Sequence, residues 1–194
     1  NPFIGTSETV KVDYILVAQA PLQQVLQLNT GWGSISSFVV PENASIETLF
    51  GNIVDKIEIM FGDGGVYYPS QGINTIVSWN SQSGYIIKMT EDAEVFFSGI
   101  EAASGTVSFT SGWSVLPVTS SCEVNVADLF GAYPQVLAVK EIAGTGMYWP
   151  EKEINTLMTL TPGKAYYILT DDDLEFSFPA CTGAYNLIWS DEFD

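Results

Sequence analysis

The chain writes nearly the same phrase twice. "GVYYPSQGINTIVSWNSQSGYII" runs from Gly65 to Ile87, and "GMYWPEKEINTLMTLTPGKAYYI" runs from Gly146 to Ile168. The offset is 81 in most blocks: Gly31-Trp32 matches Gly112-Trp113, Ile73-Asn74-Thr75 matches Ile154-Asn155-Thr156, and Tyr85 matches Tyr166. Leu49-Phe50-Gly51 matches Leu129-Phe130-Gly131 at 80, so a residue is lost and regained between blocks. Upstream, "VLQLNTGW" lines up with "TVSFTSGW" and "DYILVAQ" with "EVFFSGI", while "EFSFPA" at Glu175–Ala180 lies 81 beyond "EVFFSG". This period is longer than most solenoid units. It predicts two tandem units of about 80 residues, over 9–99 and 100–180, with 181–194 as a tail.

Within a unit, apolar and polar residues alternate. "VLQLNTGWGSISSFVV" reads as strands around a Thr-Gly bend. "NASIETLFGNIV" then changes period: Asn43 or Ser45 can cap, and Ile46, Leu49, Phe50 and Ile53 fall at helical spacing. "NVADLFGAYP" repeats this, with Asn125 as capping residue and Pro134 as stop. "KIEIMFGDGGVYYP" carries a hairpin signal, and "NTIVSWNSQSGYIIKM" gives strand, polar loop and strand. The expected fold is therefore mainly β with an α+β tendency: several antiparallel strands and one short helix per unit, packed as one compact body.

The 23 Asp and Glu residues against six Lys and no Arg give a formal charge of −17. Phosphate backbones are held by Lys and Arg releasing counterions, so nucleic acid is an unsuitable partner. Anionic membranes and sulfated polysaccharides are disfavoured by the same sign of charge. An acidic surface also serves solubility alone. The chain has no His, which excludes a Ser-His-Asp triad, a Cys-His pair and any His zinc site. Cys122 and Cys181 are compatible with one bridge in an oxidising compartment or with two buried thiols. No run reaches the roughly 18 apolar residues of a membrane-spanning helix. The start at "NPFIGTSE", without Met, reads as a piece cut from a longer protein.

The aromatic residues are the candidate functional groups. Trp32 and Trp113 sit beside Gly on apolar strands and are expected in the core, the Gly giving the ring room. Neighbouring strand residues point to opposite faces. One ring of Tyr67-Tyr68 and of Tyr148-Trp149 must therefore face outward, and the Tyr-to-Trp exchange marks Tyr68 and Trp149 as the outward ones. A flat amphipathic ring there can stack on the apolar side of a pyranose. Trp79, followed by Asn80 and Gln82, combines a stacking surface with amide partners suited to a neutral sugar; its counterpart is Leu160. The acidic clusters at Thr170–Asp173 and Phe61–Gly65 lack the spacing of a calcium loop, and no metal or cofactor is expected. No pair of carboxylates is placed for glycoside hydrolysis, and the fragment is expected to be non-catalytic.

Two resemblances extend this reading. "GWGSIS", "GWSVLP", the Tyr-Tyr-Pro and Tyr-Trp-Pro pairs and "SGYIIKM" resemble a repeat of large secreted and cell-surface proteins of Bacteroidetes-type bacteria. The usual form there is Gly-Trp-Asn, from which Gly33 and Ser114 depart, and that repeat implies no settled activity. The last nine residues, "NLIWSDEFD", resemble the opening strand of family 16 glycoside hydrolase domains, the laminarinase and agarase group. That family's Glu-x-Asp-x-x-Glu strand is absent, so no catalytic residue is carried over. Together the resemblances imply an extracellular, carbohydrate-binding accessory module of a polysaccharide-degrading enzyme, just upstream of its catalytic domain, with a neutral glycan as partner. Tyr68, Trp79, Asn80, Gln82 and Trp149 are the expected contacts. The alternative is a structural spacer or adhesion module with no ligand of its own.

Overall fold

Alternating stretches become strands almost throughout. The computed structural model describes residues 21–102 and 106–181. The strand expected at Asp13–Gln19 and the tail Asn186–Asp194 lie outside the described residues. The first half holds β1 (Leu22–Leu28), β2 (Gly31–Ile35), β3 (Val39–Pro41), α1 (Ile46–Phe50), β4 (Ile57–Gly62), β5 (Gly65–Tyr68), β6 (Ile73–Asn74), β7 (Tyr85–Met89) and β8 (Ala93–Glu101). The second holds β9 (Thr106–Phe109), β10 (Gly112–Pro117), β11 (Val124–Asn125), α2 (Val126–Phe130), β12 (Val136–Glu141), β13 (Met147–Trp149), β14 (Ile154–Asn155), β15 (Thr159–Leu160), β16 (Ala165–Thr170) and β17 (Leu174–Ser177). The chain is mainly β, its described strand pairs are antiparallel, and it forms one compact body. Among the described residues no helix is long and apolar enough to cross a membrane.

Each half contributes one five-stranded sheet, in the orders β2-β7-β4-β5-β6 and β10-β16-β12-β13-β14. Strands whose residues lie at the 81-residue offset take the same places in the two orders. Each α-helix is little more than one turn, and α1 runs on into a 3-10 segment over Gly51–Lys56. Asn125 caps α2, its Oδ1 accepting from the Asp128 N–H at 3.0 Å. Ser45 precedes α1 without a side-chain cap, while Asn43 Oδ1 accepts from the Ser45 N–H at 3.0 Å. The strand expected across residues 74–79 is only β6: Val77 stands at φ 61°, which takes the chain out of extended geometry.

One face of each sheet is buried and the other is wet. Ile35, Met60, Tyr67, Tyr85 and Ile87 point inward in the first sheet; Leu116, Val139, Tyr148, Tyr166 and Ile168 do so in the second. The halves have separate cores, each completed by a smaller sheet, β1-β8-β3 or β9-β17, and by the Phe of its helix. Phe50 meets Phe97 edge-on with ring centres 6.2 Å apart, and Phe130 meets Phe176 the same way at 5.2 Å.

The halves meet through a small polar seam. Ser34 Oγ donates to the Ala165 carbonyl at 2.6 Å and accepts from the Ala165 N–H at 3.2 Å. A methyl on Gly84, the position 81 before Ala165, would come within 2.6 Å of Val115 Cγ1, so only Gly fits there. Val115 is in turn 81 beyond Ser34. The contact is thus self-complementary, position for position, as in an isologous dimer interface. Ser36, fully buried, donates to the Lys164 carbonyl at 2.5 Å and accepts from the Val118 N–H at 3.0 Å. Ser36→Ala removes the hydroxyl without adding bulk and strands both partners. The expected cost is about 1–3 kcal/mol, measured as a lower urea midpoint at unchanged slope.

Cys122 and Cys181 form a disulfide, with Cα atoms 5.8 Å apart. In the first half Pro41 of β3 pairs with Gly99 of β8; positions 81 further on are Cys122 and Ala180. The bridge therefore joins segments that in the first half are joined by strand pairing.

Candidate functional site

Strand parity decides which rings reach water. Ile35 is inward, so Trp32, of opposite parity on β2, is outward and 51% exposed. Leu116 is inward, so Trp113 on β10 is outward and 57% exposed. The expectation that these two residues are core is therefore corrected. Their Gly neighbours have a different role as well. No atom lies near where a Cβ on Gly31 or Gly112 would stand; instead φ is 94° and 113°, a backbone that glycine adopts without strain as the chain turns into the strand.

Trp79 is corrected in the other direction. It is 5% exposed and belongs to the core of the first half. Its ring stacks on Tyr85, with centres 4.2 Å apart and planes 20° apart, and Phe97 meets it edge-on at 4.9 Å. The chain here is not strand: the Trp79 N–H donates to the Ala44 carbonyl at 2.6 Å, which turns the side chain under the sheet. Tyr85 seals the pocket, its hydroxyl accepting from the Asn80 N–H at 2.8 Å, and burial pushes its phenol up to about 12. Trp79 offers no face to a ligand.

The other expected contacts are spread over the molecule. Asn80 is committed to its own turn: its Nδ2 donates to Asp63 at 3.3 Å, and its Oδ1 accepts from the Gln82 N–H at 3.0 Å. Gln82 is exposed at the tip of that loop. Tyr68 and Trp149 are partly exposed on the outer faces, opposite in parity to buried Tyr67 and Tyr148. They lie on different sheets, so Tyr68, Trp79 and Trp149 do not converge on one site.

Two surfaces do gather exposed aromatic residues. On the first sheet Trp32 pairs with Lys88, Lys88 with Ile59, and Tyr68 with Ile73. Continuing the β4–β5 register places Tyr68 opposite Ile59, completing one row across five strands. Trp32 and Tyr68 are then three strand spacings apart, about 14 Å along the row. Phe61, 37% exposed, lies nearly parallel to Trp32 with ring centres 6.3 Å apart. Lys88 Nζ stands 5.7 Å from the centre of the Trp32 ring and 2.8 Å from Glu58. The corresponding row on the second sheet is Trp113, Leu169, Ala138, Trp149 and Ile154. There Tyr167 presents its edge to Trp113 at 6.2 Å.

Trp32 also lines a cleft of about 540 Å³ between the two halves. Asn29, Thr30, Ser34, Glu141 and Lys164 bring polar groups to its walls. Thr30 is fixed there: its N–H and hydroxyl both donate to Asp92, at 2.7 and 2.8 Å, and these bonds hold the Asp92 carboxyl below its ordinary range. The signal for Trp32 lay in the sequence. Counting by two from Ile35 puts it on the wet face. The cleft had no sequence signal, because its main walls, residues 25–34 and 161–166, are more than a hundred residues apart. The acidic stretches serve turns: Asp63 accepts from Ser83 Oγ at 2.9 Å, and Asp173 from the Ser111 N–H at 3.3 Å. Among the described residues no group of three or more His, Cys, Asp or Glu is placed to hold a metal ion. Comparison with protein-family models, curated proteins and solved structures returned no match.

Proposed function

We propose that this chain is a non-catalytic carbohydrate-binding module, built of two copies of one unit, that holds a neutral polysaccharide by aromatic stacking. One observation carries the reading: Trp32, on the outer face of its sheet and at the edge of the cleft between the halves, leaves more than half of its surface in water. An exposed indole offers a flat amphipathic face, and pyranose rings have the matching apolar one. The absence of His and Arg supports a binding rather than a catalytic role, and the charge of −17 supports a neutral over a sulfated glycan. The Cys122–Cys181 bridge supports an extracellular location, since such bridges persist in oxidising compartments. The resemblance of the C-terminal residues to a glycoside hydrolase strand supports a parent enzyme whose catalytic domain follows.

The test is affinity electrophoresis in gels containing laminarin, agarose or mixed-linkage glucan. Wild type is expected to be retarded by at least one of them, and a Trp32→Ala variant to run close to its position in the plain gel. Unretarded wild type on all three would leave the spacer reading. That reading has an observation of its own: the halves are fixed through buried Ser36 and the close contact at Gly84, a body rigid enough to act as a strut.

A further inference from the structure

The two outward tryptophans have different neighbours. Beside Trp32 stand an ammonium and a carboxylate, Lys88 and Glu58, joined at 2.8 Å. At the position 81 beyond Lys88 the second sheet has Leu169, and the rest of its Trp113 row is Ala138, Trp149 and Ile154. A pyranose has an apolar face and a rim of hydroxyls, so it needs a ring and a hydrogen-bonding group side by side. Trp32 has both, with the Lys88 ammonium 5.7 Å from its ring centre; Trp113 meets the edge of Tyr167, and Leu169 stands where the first sheet has Lys88. Trp32 is also the ring that borders the inter-half cleft, whose volume of about 540 Å³ is typical of a ligand site.

We propose that the chain binds a single glycan strand, on the first half, with Trp32 as the stacking ring, Lys88 as the donor to a sugar hydroxyl, and the strand running past Trp32 into the cleft between Thr30 and Lys164. Lys88 sets the difference between the two sheets. Glu58 holds its ammonium beside the indole, where it meets the rim of a sugar seated on the ring. In the cleft, Thr30 is held in place by Asp92, and Glu141 by the Gly146 N–H at 2.9 Å, so these polar walls stand ready before a ligand arrives. Among the described residues no ammonium stands over the Trp113 ring, which does not line this cleft either, and it takes no sugar. This inference rests on the glycan-binding reading and names where that binding occurs.

Isothermal titration with a β-1,3-glucan hexasaccharide and with agarohexaose tests it. One hexasaccharide is expected per chain. Trp32→Ala is expected to weaken binding by about tenfold or more, and Lys88→Leu by about fivefold. Lys88→Arg, which keeps the donor, is expected to stay within about threefold of wild type, and Trp113→Ala within about twofold. The thermal midpoint should change little in Lys88→Leu, because the side chain lies on the outer face and an exposed ion pair is worth about 0–1 kcal/mol. Two equivalent sites, an equal loss in Trp113→Ala, or unaltered binding by Lys88→Leu would each overturn the single-site assignment while leaving glycan binding intact. If wild type binds neither hexasaccharide and no polysaccharide gel, glycan binding itself fails and the site assignment fails with it.

Discussion

Trp79→Ala is expected to lower stability by about 3–5 kcal/mol, the range for deleting a large aromatic side chain from a packed core. The ring is sandwiched between Tyr85, at 4.2 Å between centres, and the edge of Phe97, at 4.9 Å, with Phe50 at 5.9 Å. Its removal leaves a cavity that these three rigid rings cannot collapse to fill. Urea unfolding measures the loss, and the near-ultraviolet dichroism of the stacked pair should fall with it. Trp79→Leu, which installs the residue found at the matching position 160, keeps an apolar side chain there and should cost less. Any loss of glycan binding in Trp79→Ala is expected to track the unfolded fraction and to disappear on cooling into the folded range. A variant that stayed as stable as wild type would show that the ring is not packed as described.

Opening the disulfide is the second large perturbation. Cys122 and Cys181 are 59 positions apart in sequence. Closing a loop of that length in the unfolded chain is worth about 4 kcal/mol in the chain-entropy account. A Cys122→Ser/Cys181→Ser double variant is expected to lose about that much, and dithiothreitol should bring wild type to the same urea midpoint. The loss should be uneven along the chain. The bridge lies wholly in the second half, whose core runs from Val107 to Phe178 and is separate from that of the first. Amide exchange should therefore speed up in β9 and β17 more than in β4 and β7. An unchanged midpoint under reduction would mean that the two cysteines are not joined in the folded protein.

The separation between what was legible and what was not follows the range of the interactions. Strand character could be read because alternation is a local property: each residue's face is fixed by its neighbour's, whatever the sheet packs against. The same rule placed Tyr68 and Trp149 opposite Tyr67 and Tyr148. It places Trp32 on the wet face as well, once Ile35 sets the phase of β2. The Asn125 cap was legible too, because a cap is a contact over three residues.

Trp79 was not legible. It lies outside any strand, at a position with no parity to count, and its direction is set by a bond to the Ala44 carbonyl and a ring 18 residues further on, at Phe97. The pairing of the cysteines, the seam at Ser36 and the cleft beside Trp32 are likewise contacts between distant segments. The sequence by itself determined a mainly β chain whose strands have one dry face and one wet. Only the tertiary structure decided which aromatic rings were left on the wet side with polar company. A ring's neighbours in space come from how sheets stack and halves dock, and neither is encoded within reach of a single strand.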